Sequence, residues 1–357
     1  MTTTMRAAVF AGPHDIHIEE VPIPVCGSTD AIVRVTTTTI CGTDSHIWRA
    51  EYPVAPGRVV GHEPVGVIHE LGEAVQGYKI GDRVVVGAIT PCGTCYFCQR
   101  GDLAQCAGYE DSWGLIGGWR LGNSADGVQA EYFRVPYAQA NLARIPDGLT
   151  DEQVVFVTDI ASTGISAVET ANVQLGDSVV VFAQGPIGLC ATAGARLRGA
   201  GLVIGVDSNP IRLEMAKRMG ADEVIDFTQE DVIAKIRSLT GGRGADVAIE
   251  ALGTQATFEN CLRSVRPAGT VSSLGVYSDK VTVPLEPFVY GIGDVDILTT
   301  LCPGGKQRMT QLMTMVKAGR LDLQQLITHR FSLDEIEAAY DLFSNQRDGV
   351  IKVIVTA

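Results

Sequence analysis

The stretch Val179-Val180-Val181-Phe182-Ala183-Gln184-Gly185-Pro186-Ile187-Gly188 constrains the fold more than any other part of this 357-residue chain. An apolar β-branched run enters a glycine-containing turn and then helix formers, the order of a buried strand, a tight turn and a helix. The pattern repeats downstream. Buried strands are expected at 178–183, 202–207, 223–226, 246–250 and 269–276, with helices running to Gly199 and over 210–219. Strands alternating with helices form a parallel sheet covered on both faces. Upstream the texture differs. Strands are expected at 5–10 and 16–23 around the Gly12-Pro13 turn, over 31–37, over 59–68 apart from one charged pair, and over 84–86 after Gly81-Asp82-Arg83. Further helices are expected over 151–171, 308–318 and 332–344, and a closing strand over 349–355. The chain therefore reads as α/β. Residues 1–156 and 297–357 make a β-rich domain to which the C-terminal piece returns, and residues 157–296 make a doubly wound parallel-sheet domain.

Composition narrows the function. Hydrophobic residues make up 46% and charged residues 19%, which suits a globular chain with ample core. The 28 basic and 41 acidic residues leave a net charge of −13, which repels phosphate backbones and argues against a nucleic-acid partner. No apolar run approaches the about 18–20 residues that span a bilayer. The start, Met1-Thr2-Thr3-Thr4-Met5-Arg6, lacks the three-part pattern of a signal peptide. A cytoplasmic protein with no membrane partner is expected, and nine cysteines in such a chain point to metal or catalysis rather than disulfides.

Cys92-x2-Cys95-x2-Cys98-x7-Cys106 places four thiolates in one short loop, the spacing of a tetrahedral structural zinc; an iron–sulfur cluster is the alternative. A second, scattered set is Cys41, His62, Glu63 and Asp159, whose sulfur, nitrogen and carboxylate donors leave room for water or substrate, as a catalytic zinc needs. For His62 a hydrogen-bonded core histidine remains an equal reading at this point. Thr43 and His46, within the stretch Cys41-Gly42-Thr43-Asp44-Ser45-His46, add a hydroxyl and an imidazole able to pass a proton. The turn at Gly185, Pro186, Ile187 and Gly188, with Ala183 in the first glycine slot, suits a pyrophosphate at a helix N-terminus. Asp207 ends the next strand, where a carboxylate takes both ribose hydroxyls and repels a 2′-phosphate, favouring NAD over NADP; Arg212 offsets part of that repulsion.

Together these motifs, with Gly118-Trp119-Arg120-Leu121-Gly122-Asn123 and Thr158-Asp159-Ile160-Ala161-Ser162-Thr163-Gly164, resemble the zinc-containing medium-chain alcohol dehydrogenases along the whole chain, most of all their secondary-alcohol branch. The resemblance implies a GroES-like β-rich catalytic domain, a Rossmann domain, and two zinc ions per chain, one catalytic and one structural. It implies Cys41, His62 and Asp159 as catalytic-zinc ligands, with aspartate where many relatives have cysteine. Glu63 becomes a neighbouring carboxylate that ligates transiently. Zinc with the Cys41 thiolate, the Asp159 carboxylate and neutral His62 is formally neutral, and a permanent Glu63 ligand would make the set −1 and disfavour an alkoxide. Thr43 and His46 become a proton path through a cofactor ribose hydroxyl, and Asp44 orients His62. Gly275, Val276 and Lys352 join the cofactor site, Lys352 by reaching the pyrophosphate. Ala88 and Trp119 become pocket walls, although core packing also accounts for Trp119. The implied activity is reversible hydride transfer between a secondary alcohol and NAD. The alternatives are a polyol, butanediol or amino-alcohol dehydrogenase of the family, or a non-catalytic nucleotide-binding protein. A homotetramer is implied, or a dimer, paired through 270–276. Cys26, Cys190, Cys261 and Cys302 read as small apolar core residues.

Overall fold

The structure, a computed structural model, describes residues 3–106 and 117–357. It divides into two compact units, Met1–Ser162 with Cys302–Ala357, and Thr163–Leu301. Both boundaries fall five to six residues beyond the expected ones. Ser162 stays with the first unit because its hydroxyl donates to the Pro303 carbonyl at 2.6 Å and Arg308 donates back to it at 3.0 Å. At the other boundary, Asp296–Thr299 pairs in parallel with Val265–Ser273 as a further strand of the second unit. Asp159, placed in the nucleotide domain by the expected boundaries, thus belongs to the first unit.

The first unit is β-rich. A three-stranded antiparallel sheet sets Thr4–Gly12 between Asp15–Pro22 and Arg58–Val59. A seven-stranded sheet runs in the order Ile327–Ser332, Lys352–Thr356, Ala31–Thr39, Val65–Leu71, Arg83–Val85, Ala143–Arg144, with Tyr132–Val135 also paired to Ala31–Thr39. The returning C-terminal strand pairs antiparallel with Ala31–Thr39 at Ile354–Thr39, which sets Lys352 beside the strand that leads into Cys41. Val33, Val35, Ile68, Val84, Phe133 and Leu142 pack one apolar core, and Ile40, Ile47, Ile336, Tyr340 and Val353 belong to another.

The expected helix over 151–171 is broken. Asp151–Val154 passes into a 3₁₀ turn, Val155–Val157, and a new helix begins at Ile160. The Thr158 hydroxyl donates to the Val155 carbonyl, and the Thr158 carbonyl accepts from Ala88 N at 2.8 Å. Those bonds take Thr158 out of the helical ladder and leave Asp159 at the break.

The second unit is a six-stranded parallel sheet in the order Glu223–Asp226, Leu202–Asp207, Ser178–Phe182, Ala245–Glu250, Val265–Ser273, Asp296–Thr299. Ser178–Phe182 is buried along its length, as a central parallel strand requires. Strand order reverses between Ser178–Phe182 and Ala245–Glu250, the position where such sheets open a ligand crevice at their carboxyl ends. The expected strand over 269–276 spans Val265–Ser273 instead. Its neighbours occupy both sides, so this strand is not a sheet edge, and the edges are Glu223–Asp226 and Asp296–Thr299.

Candidate active site and metal centres

The helix Gly42–Trp48 starts from Cys41, and Asp44 Oδ2 accepts from the Cys41 backbone N–H at 2.8 Å. The other oxygen of this fully buried carboxylate lies 3.4 Å from His62 Nδ1. Asp44 therefore fixes both the helix start that carries the thiol and the ring that carries the imidazole. Gly61 adopts φ +91° immediately before His62, and a Cβ there would stand 2.6 Å from Gln129 Cγ. Only glycine fits that turn.

His62 Nε2 lies 3.4 Å from Asp159 Oδ2, and Cys41 Sγ lies 3.4 Å from the same oxygen. Bond lengths to zinc of ~2.0–2.3 Å predict ligand separations of about 3.3 Å for N···O and about 3.5 Å for S···O around a tetrahedral ion. Donor atoms of Cys41, His62, Glu63 and Asp159 all fall within 4.8 Å of one another, and all four side chains are buried. The hydrogen-bonded core histidine remains only in part: Nδ1 faces Asp44, and Nε2 faces the ligand set.

Electrostatics favour an ion here. Burial raises the Cys41 thiol pKa, helped by Asp159 and Glu63. Burial works against a protonated His62, yet Asp44 and Asp159 raise its pKa well above the usual imidazole range. Both groups therefore hold protons in the absence of metal. Metal uptake releases them and is favoured as pH rises.

Glu63 Oε1 is buried and has no hydrogen-bond partner among the described residues, as suits a carboxylate oxygen kept for a cation. Its Oε2 accepts from Lys352 Nζ at 2.5 Å, and Lys352 also donates to Thr39 Oγ1 at 2.9 Å and to the Ile40 carbonyl at 3.0 Å. Its ammonium is fully buried with these three oxygen partners, a setting that the sequence does not mark. The two partners pull in opposite senses. Burial pushes Glu63 toward its neutral form, whereas Glu63, Cys41 and Asp159 outweigh burial and keep Lys352 charged. With the ammonium seated on three oxygens, the ionised pair is the state the geometry supports.

Thr43 Oγ1 stands 3.9 Å from Cys41 Sγ, and His46 lies one helical turn along. His46 Nδ1 pairs with Glu51, and its ring stacks on Tyr52 with centroids 4.9 Å apart. Tyr52 in turn meets Trp119 at 6.0 Å, and Trp119 meets His62 at 6.4 Å, so Trp119 stands beside the metal set. Burial, Cys41 and Glu51 push the Tyr52 hydroxyl up to about 12, which keeps it neutral. Ala88 is buried and tied to Thr158, next to Asp159. Sequence reasoning passed over Glu51 and Tyr52. They lie beyond the helix end, and no motif spacing marks them.

The second metal constellation closes as its spacing predicts. Cys92 Sγ and Cys98 Sγ are 4.0 Å apart, and Cys95 Sγ and Cys106 Sγ 3.8 Å. Four sulfurs ~2.3 Å from one ion lie about 3.8 Å apart. All four ligand atoms fall within 4.8 Å of one another, and all nine cysteines of the chain are free of disulfides. Cys190, Cys261 and Cys302 are buried as expected, and Cys26 is only partly so.

In the second unit Ala183 adopts φ 71°, the left-handed conformation that explains why glycine is usual in this slot. Alanine tolerates it at a cost of about 1 kcal/mol. Gly185 caps the helix Pro186–Leu197. A Cβ on Gly188 would stand 1.9 Å from the Ala183 carbonyl oxygen, so glycine there permits the close helix–strand contact. Asp207 is buried, and its carboxylate accepts from the backbone N–H groups of Gln184, Ser208 and Asn209 at 2.7–2.9 Å, with Arg212 at 4.0 Å. Gly275 packs against Gly253 and the buried Glu250 carboxylate, and Val276 is exposed beside it. Glu250 accepts from Leu252 N and Gly253 N at 2.8–2.9 Å and from Tyr277 Oη at 3.1 Å, joining the loops that follow two adjacent strands.

Residues 27–147 match the alcohol dehydrogenase GroES-like domain, and residues 186–318 match the zinc-binding dehydrogenase domain. An alcohol dehydrogenase of Cupriavidus necator is 57% identical, with 99% of either chain covered. An NADP-dependent isopropanol dehydrogenase of Clostridium beijerinckii is 37% identical over 98% of this chain and 99% of its own. A solved zinc-dependent alcohol dehydrogenase of Streptococcus pneumonia superposes with a TM-score of 0.90 at 37% identity, covering 99% of this chain and 98% of that one. Identity at this level extends over nearly the whole chain, and the chain belongs to the zinc-containing medium-chain alcohol dehydrogenase family.

Proposed function

We propose that this zinc-dependent alcohol oxidoreductase interconverts secondary alcohols and ketones with NAD, and that it holds one catalytic and one structural zinc per chain. The observation that carries the reading is the convergence of Cys41 Sγ and His62 Nε2 on Asp159 Oδ2, each at 3.4 Å, beside the Thr43–His46 helix turn. A bound zinc would supply a Lewis acid for the alcohol oxygen, and a bound nicotinamide a hydride acceptor. Cys41, His62 and Asp159 would hold the metal. Asp44 keeps the His62 ring turned with Nε2 toward it. Lys352 holds one Glu63 oxygen, and Oε1 stays without a hydrogen-bond partner among the described residues, so it would be the atom available to a cation. Thr43 accepts the alcohol proton, and His46, held by Glu51, delivers it to water. Trp119 and the small Ala88 form unequal walls for the two arms of a secondary alcohol, with Tyr52 edge-on to Trp119.

The buried Asp207 carboxylate supports NAD. Asp207→Gly is expected to shift the NADP/NAD ratio of kcat/KM toward NADP on the order of 100-fold, about 2.7 kcal/mol; an unchanged ratio assigns cofactor choice to another residue. His46→Gln is expected to slow alcohol oxidation most at low pH, where hydroxide is scarce and proton release depends on a relay base, while NADH affinity stays the same. A pH–rate profile identical to that of the parent enzyme removes His46 from the path.

Edge strand Asp296–Thr299, with Leu285, Tyr290 and Ile292 exposed nearby in sequence, supports assembly into dimers or tetramers through that side. The nine free thiols support a reducing, cytoplasmic setting. No helix among the described residues is long and apolar enough to cross a membrane. Assay of NAD and NADP reduction with 2-propanol, 2-butanol, 2,3-butanediol and sorbitol tests the substrate. A clear preference for the diol or polyol replaces this reading with that of a diol or polyol dehydrogenase.

A further inference from the structure

Arg120 has no solvent exposure and is among the largest fully buried side chains of the protein. One terminal nitrogen donates to Cys106 Sγ at 3.1 Å, the other donates to the Thr90 carbonyl, and the guanidinium lies 5.9 Å from the centre of the Tyr137 ring. The sulfur it touches is fully buried and also accepts from the Cys92 backbone N–H at 3.2 Å. Cys92 Sγ, by contrast, accepts from Thr94 N and Cys95 N at 3.4 and 3.3 Å, and no full positive charge is among those donors.

Four thiolates around a divalent ion sum to −2. Burying that excess is unfavourable unless a positive charge accompanies it. A guanidinium suits the position because its planar fork reaches a sulfur and a carbonyl oxygen at once, which a single ammonium does not reproduce. We propose that Arg120 is the buried counter-ion of the four-cysteine centre, a positioning residue that offsets one of its two excess charges, clamps Cys106 to the Thr90 carbonyl, and thereby sets how firmly the centre keeps its metal and how inert its thiolates are. The proposal rests on the structural-zinc reading of Cys92, Cys95, Cys98 and Cys106.

The test uses the full-length protein, its zinc content after purification, the rate of zinc loss to a chelator, and the rate at which each cysteine is alkylated by iodoacetamide at one fixed pH, resolved by mass spectrometry. In Arg120→Met, zinc loss assigned to this centre is expected to rise roughly tenfold or more, as for other groups that support metal ligands. Alkylation of Cys106 should rise most, and that of Cys41 should not change. Arg120→Lys restores the charge without the fork and is expected to fall between the two proteins. If Arg120→Met does not fold, the lysine variant carries the test alone: faster zinc loss with selective Cys106 labelling supports the proposal, and behaviour equal to wild type overturns it. Equal rates in Arg120→Met and wild type also overturn it, as does a parallel rise at Cys41, which marks general loosening. A wild-type chain that carries no metal at these cysteines overturns the structural-zinc reading and this proposal with it, whereas a firmly held wild-type zinc unaffected by Arg120→Met overturns the counter-ion role alone.

Discussion

Replacing Lys352 with methionine is expected to cost the first unit about 3–5 kcal/mol, because it strands a buried carboxylate beside Asp159 and Cys41. For a unit of this size that corresponds to a fall in melting temperature of about 10 °C. The double variant Lys352→Met with Glu63→Gln is expected to regain most of the loss, since an amide leaves no charge to bury. Scanning calorimetry of the single and double variants measures both. The same comparison reads function. In Lys352→Met, Glu63 is free to turn both oxygens toward the metal, so turnover should fall more than stability explains, and the double variant should recover it. A single variant that melts with wild type would mean that Glu63 is neutral in the folded protein and that the ion pair is not its anchor.

His62→Ala is expected to lower kcat/KM at least ~10³-fold, on the order of 4 kcal/mol of transition-state stabilisation. It should remove one zinc per chain and leave the four-cysteine centre filled, because the two ligand sets share no residue. Dinucleotide affinity should hold, since the residues expected to bind the cofactor phosphate and ribose lie in the other unit. Zinc analysis paired with NADH fluorescence titration separates these outcomes. Retention of the full zinc complement with intact turnover would remove His62 from the ligand set.

Much of this site was legible along the chain. The four-cysteine spacing predicted a closed thiolate cluster, and its sulfurs meet at tetrahedral separations. Close spacing survives folding because the chain between ligands is too short to carry them apart. The turn after Ser178–Phe182 was equally plain, since strand, glycine turn and helix are local features with local causes. Lys352 was not legible in this way. A lysine near the C-terminus carries no local mark of its partner, and Glu63 lies 289 residues away in the chain. Its partner was set by the antiparallel pairing of the returning strand with Ala31–Thr39. The break at Thr158 was hidden for a similar reason. Propensity favoured one helix through 151–171, and a tertiary hydrogen bond to Ala88 interrupts it.

By itself the amino-acid order determined the class of both units, the two clusters of candidate metal donors and the acidic residue that ends the strand after the glycine turn, because each depends on residue type and short-range period. Only the tertiary structure decided that Asp44 lies against both the Cys41 helix start and the His62 ring, that Lys352 faces Glu63 instead of solvent, that Arg120 touches the Cys106 sulfur, and that Asp296–Thr299 is an edge strand of the parallel sheet. These are contacts between segments far apart in the chain. Strand register and core packing choose such partners, and neither leaves a trace in local sequence.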